Sequence, residues 1–258
     1  MARKEQDEPA LPYVPRTYRR DESAPFVLWT SPCETGEHRA CLRSWAFDAM
    51  SFLSEALGFR PSRRLHVVSF RTNEEARLSL GREVPSAMAL APYAGEADCL
   101  VVVQSASVDS RNADPDRMRG ILVHEMAHQL IAERTGSTKL LGDGNRCVNV
   151  STWLNEGLAE LLRFQFLHDA ARIEGALGEF ERARDILTWR DVDGLLDDLD
   201  ADRRAEAFVR ATGAVAWLAR EAGVVMLFDR LAVVDHAVAP NSGCAVPALR
   251  PVLRRLSA

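Results

Sequence analysis

The stretch that decides the fold is DPDRMRGILVHEMAHQLIAERTG, residues 114–136. Asp114 can cap a helix, Pro115 suits its first position, Asp116 favours the positive end of its dipole, and Gly136 can end it. The flanking Ile121, Leu122, Met126, Leu130 and Ile131 would bury this helix. At its centre stand His124, Glu125 and His128, and buried imidazoles and carboxylates are costly unless partnered. Residues four apart differ by about 40° round a helix, so His124 and His128 project to one side, one turn apart. That geometry suits two ligands of a tetrahedral zinc. Glu125 lies about 100° round from His124. It is poorly placed to be a third ligand, but it can reach a water at the metal's open position, take its proton and hand it to a leaving group.

A third ligand is offered by the next strong helical stretch, STWLNEGLAELLRFQFLHDAARI, residues 151–173, with Ser151 or Thr152 as its cap. Glu156 and Glu160 fall one turn apart on one face of it. Glu156 can complete a two-His, one-Glu set that leaves the fourth position for water. Glu160 can then accept the remaining N–H of a ligand histidine, His124 being the natural choice, and so fix its tautomer. Gly157 inside a helix costs about 1 kcal/mol relative to alanine. The expectation is that its missing side chain lets the two helices approach closely enough to share one ion.

HEMAHQL followed by WLNEGLAEL resembles the gluzincin metallopeptidases, the thermolysin-like clan with HExxH and a downstream glutamate ligand, and is most similar to their small bacterial domains. The likeness covers about residues 26–235. It implies zinc as cofactor, His124, His128 and Glu156 as ligands, Glu125 as general base and a peptide or protein substrate. It also implies that the strand near 86–92 is a sheet edge beside the cleft, where Ser86, Ala87, Met88 and Ala89 lend backbone groups to an extended peptide. Gluzincins commonly steady the oxyanion with a Tyr or His beyond the glutamate helix. In the small domains a tyrosine often begins the later helix that here reads AFVRATGAVAWL (207–218), and this chain has Phe208 there. The three tyrosines, Tyr13, Tyr18 and Tyr93, all lie upstream. Arg210 and Tyr93 are the candidate oxyanion donors. His168 would lie about 18 Å from Glu156 along a continuous helix, and His236 falls in a loop. No GxMEN-type amine-recognition motif precedes the HExxH, so exopeptidase action is not implied. A peptidase-like scaffold that binds zinc without cutting, or a hydrolase of a non-peptide amide, is the alternative.

Around these helices the pattern is α+β: strands first, helices afterwards. Residues 1–25, with four prolines and ten charges, read as a flexible tail. Residues 26–258 read as one domain, with a small mixed-sheet lobe ending in the HExxH helix (26–135) and a helical lobe (136–258). Strands are expected at 26–30 and 64–70, helices at 37–58 and 72–80, and a hairpin across 86–104. Later helices are expected near 177–187, 190–199, 203–221, 224–234 and 246–256. The three-glycine segment 136–150, which contains Cys147, reads as a surface excursion or a lid. The acidic run at 197–202 reads as helix-end capping.

With 258 residues, 47% of them apolar, the chain can bury one sizeable core. A net charge of −5 without a basic block argues against nucleic-acid and membrane partners. Five cysteines without a CxxC pair fit free thiols in a reducing compartment. No signal-type segment or membrane span is visible, so a soluble cytoplasmic protein is expected.

Overall fold

The computed structural model describes residues 14–23, 25–62, 65–81, 87–90, 99–104, 115–135, 150–183, 189–196 and 200–231. Among the described residues five strands, β1 (Arg19–Ser23), β2 (Phe26–Thr30), β3 (Leu65–Phe70), β4 (Ala87–Leu90) and β5 (Cys99–Gln104), form one sheet in the order β1-β2-β3-β5-β4. β2, β3 and β5 run parallel, and the two edge strands pair antiparallel to their neighbours. The fold is α+β, with a small mixed sheet followed by a helical lobe. The central strand β3 is buried along its whole length, as expected where both faces of a parallel strand are covered. Strand alternation divides its residues: Leu65 and Val67 join Phe26 and Leu28 in the main core, while His66, Val68 and Phe70 take the other face.

α1 (Gly36–Leu57) connects β2 to β3. Thr35 caps it by accepting from the His38 amide at 3.1 Å, and Gly58 ends it at φ 59°. α2 (Asn73–Leu80) has the same arrangement, with Thr72 as cap and Gly81 at φ 68°. α3 (Pro115–Thr135) carries HEMAH and packs against α1, β4 and β5. Then follow α4 (Thr152–Phe166), α5 (Ala170–Ala183), α6 (Trp189–Leu196), α7 (Ala201–Ala222) and α8 (Val224–Leu231). One buried apolar cluster runs from Phe26 to Leu231, so the sheet and the helical lobe share a core. Among the described residues no single helix is long and apolar enough to cross a membrane.

Three expectations need correction. Residues 19–23, assigned to the tail, form β1, and Val14 and Tyr18 just before them are buried. The Tyr18 hydroxyl donates to Glu75 Oε2 at 3.2 Å and its ring meets Phe70. The polar string RRDES disguised an edge strand, where outward charges protect unpaired backbone.

The helix expected over 151–173 is two helices. The Asp169 amide bonds back to Phe164 O (2.9 Å) and the His168 amide to Gln165 O (3.1 Å), with His168 at φ 54°. These are the paired bonds of a Schellman stop. Asp169 Oδ1 then accepts from the Arg172 amide and starts α5. Of the two expected caps, Ser151 holds the N-cap position of α4, without a side-chain bond.

Gly157 does not face α3. A Cβ there would lie 2.5 Å from the Ala211 carbonyl oxygen and 2.8 Å from Val215 Cγ2, both on α7. Facing the end of α4, α3 instead has Gly120, which makes room for side chains: a Cβ there would lie 2.9 Å from Leu167 Cδ1 and 3.1 Å from Arg163 Nε.

Residues 1–13, Tyr93, Asp114, the 136–149 part of the interhelical loop with Cys147, His236 and the helix expected at 246–256 lie outside the described residues.

The Gly157 contact is with backbone, which cannot rotate away. Gly157→Ala is therefore expected to lower stability by about 1–3 kcal/mol despite its better helix propensity. Thermal unfolding of the metal-free chain measures this, and an unchanged or raised Tm would contradict the assignment.

Candidate metal centre

α3 presents His124 and His128 toward α4, and α4 presents Glu156 toward them. His124 Nε2 and His128 Nε2 are 3.1 Å apart, and each lies 3.4 Å from Glu156 Oε2. These are the only three His, Cys, Asp or Glu side chains among the described residues that could jointly hold a metal ion.

The far side of each imidazole is also engaged. His124 Nδ1 donates to Glu160 Oε2 at 3.0 Å, and His128 Nδ1 donates to Asn155 Oδ1 at 3.0 Å. A carboxylate and an amide oxygen can only accept. Both histidines therefore carry their proton on Nδ1, leaving the two Nε2 lone pairs and a carboxylate oxygen converging on one point. Three acceptors that close repel one another unless a cation lies between them.

A zinc with bonds of about 2.0–2.1 Å would separate tetrahedral donors by roughly 3.4 Å. The observed 3.1, 3.4 and 3.4 Å fit that spacing. The donor set is of the two-imidazole, one-carboxylate type found at sites that keep an open coordination position.

Without a metal, a proton plays the cation's part. Burial alone would push His124 down, but its bonds to Glu156 and Glu160 and the nearby Glu125 charge outweigh this and raise its pKa to about 10. Burial opposes ionisation of Glu156, yet His128 and His124 hold its pKa below the usual carboxylate range. Glu160 is likewise held low against burial, by His124 and then Arg163.

Glu125 is buried, follows His124 on α3, and lines a cavity of about 750 Å³ together with His124 and Glu160. The cavity is walled by all four neighbouring helices: Ile121 from α3, Phe164 from α4, Ala176 from α5 and Phe208 from α7. Its volume lies within the range of small-molecule and side-chain sites.

The structure does not bring every candidate to this centre. Arg210 pairs with Glu206 one turn back on α7 and is not among the described residues lining the cavity. His168 is exposed in the break between α4 and α5. Phe208 lines the cavity with no hydroxyl to offer. Of the described residues, Asn155 was missed in the sequence. Its position directly before Glu156 was the available signal, because the residue preceding a ligand on a helix can still reach the other imidazole of an i, i+4 pair.

No protein-family model matches the chain, and no curated protein matches it.

The raised His124 pKa sets a sign for pH effects. In the metal-free protein, His124 protonation contributes stability that is complete below its ordinary value near 6.5. That stability is lost as pH rises through about 10. A metal must displace this proton, so adding zinc near pH 8 is expected to release about one proton per chain from the site, with apparent affinity rising as pH rises. An indicator-dye titration in weak buffer measures the release; zinc uptake without proton release would contradict it.

Proposed function

We propose that the chain is a zinc-dependent hydrolase of gluzincin type that cleaves peptide bonds, with His124, His128 and Glu156 as ligands and Glu125 as general base. The observation that carries this reading is the convergence of three acceptors at 3.1–3.4 Å, their outer atoms fixed by Glu160 and Asn155. A buried glutamate beside them opens onto a cavity. A scaffold that only held a metal would have no use for that glutamate.

Zinc, when bound, would supply Lewis acidity, polarising the scissile carbonyl and acidifying water. The remaining work falls to the protein. Glu125 takes a proton from the attacking water and returns it to the departing amine, the role of a buried carboxylate within reach of both. Glu160 and Asn155 hold the two imidazoles in the Nδ1–H tautomer, so their Nε2 atoms stay available to the metal. The cavity walls receive part of the substrate and exclude water from the reacting groups. β4, at the sheet edge among the described residues and against α3, offers backbone along which an extended peptide can lie.

A second reading has one specific observation behind it: Phe208 stands where the resemblance places a tyrosine. Loss of an oxyanion donor typically lowers rate by ~10²–10³, which favours a slow, narrowly specific enzyme, a hydrolase of a non-peptide amide, or a zinc-binding scaffold that does not cut.

Two substitutions separate these. Glu156→Ala is expected to abolish stoichiometric zinc binding and activity together. Glu125→Gln is expected to retain the metal while turnover falls by about 10²–10⁴. Metal analysis and incubation with a diverse peptide library, read by mass spectrometry, provide both measurements. A fully active Glu125→Gln would remove the general-base assignment. A zinc-loaded wild type that cleaves no peptide would favour the scaffold or the non-peptide substrate.

A further inference from the structure

Glu160 is held from two sides. Its Oε2 accepts from His124 Nδ1 at 3.0 Å, and Arg163, three residues further along α4, donates from Nη1 to Oε1 at 3.1 Å and Oε2 at 3.2 Å. A pair at this spacing on an exposed helix face contributes little. This one differs in its surroundings, because Glu160 is only 14% exposed and Arg163 23%.

The guanidinium makes no other hydrogen bond among the described residues, and its Nε is buried without a partner. The Phe164 ring flanks it. On α3 it lies across Gly120, where a Cβ would come within 3.1 Å of Nε and 3.3 Å of Cγ. The sequence thus leaves room on α3 for an arginine whose polar contacts all go to one carboxylate. That carboxylate holds a metal ligand.

We propose that Arg163 is a positioning residue for the metal centre, fixing the plane of the Glu160 carboxylate so that Oε2 stays on His124 Nδ1, with Gly120 making space for the guanidinium. The proposal rests on the reading of His124, His128 and Glu156 as a zinc site. A carboxylate with a single donor can swing about its side-chain torsions. Contact with both oxygens removes that freedom, and the His124 ring is then set before the metal arrives.

A double-mutant cycle on the full chain tests this, with zinc dissociation constants taken by competition against a chromogenic chelator and thermal unfolding of each metal-free form alongside. Glu160→Ala is expected to weaken zinc binding by about 10- to 100-fold, as for other partners of ligand histidines. Arg163→Gln is expected to weaken it by about 3- to 10-fold in the wild-type background and by less than about twofold beside Glu160→Ala. Arg163→Lys, which keeps a charge within reach of the carboxylate, is expected to recover most of the loss. Equal losses from Arg163→Gln in both backgrounds would overturn the relay. So would a drop in Tm with zinc affinity unchanged, which is the signature of a merely structural contact. A wild type that binds no zinc would overturn the site reading and the relay with it.

Discussion

The candidate metal centre depends on the approach of α3 to α4. Three electron-rich atoms from two helices are held within 3.4 Å of one another, an arrangement that opposes folding unless positive charge neutralises it. The surrounding structure supplies the restoring force. Leu122, Val123, Met126, Ala127, Leu130 and Ile131 of α3 are fully or almost fully buried, as are Leu154, Leu158, Leu161 and Leu162 of α4. Packing on this scale can hold a locally unfavourable cluster in place, and a preformed cluster spares a metal the task of organising its own ligands.

Two glycines set the spacing of the layers, and they act on different interfaces. Gly120 makes room on α3 for the Arg163 and Leu167 side chains at the end of α4, while Gly157 seats α4 on the backbone of α7. α4 is therefore gripped on both sides, and Glu156 is fixed by contacts that never touch it. Gly213 does the same for α7 against α5, at the carbonyl of Ala176.

Much of this was legible in the sequence, and the parts that were not share a cause. Periodicity shows which residues occupy one face of a helix, so His124 with His128, and Glu156 with Glu160, could be paired from their spacing alone. It does not show which neighbour that face meets. Gly157 is about 100° round from Glu156, and it serves α7 rather than α3. Asn155 escaped notice because a neutral amide beside a ligand looks like any helix-surface residue until the histidine opposite is in place. β1 was lost because a solvent-facing edge strand has no apolar alternation to read. The stop after Phe166 was lost because a left-handed histidine imitates the role usually given to glycine.

That stop at His168 has a consequence for how the molecule could change over time. The reversal brings α5 back to supply Arg172, Gly175, Ala176 and Glu179 to the wall of the cavity that Glu125 also lines. Adding or removing one residue at the reversal would turn α5 by about 100° and exchange that wall for another, and it would also unseat α7 from Ala176 and so disturb the packing that holds α4. The α5 side of the cavity and the donors of α3 and α4 are thus tied together through one corner of the chain and through α7.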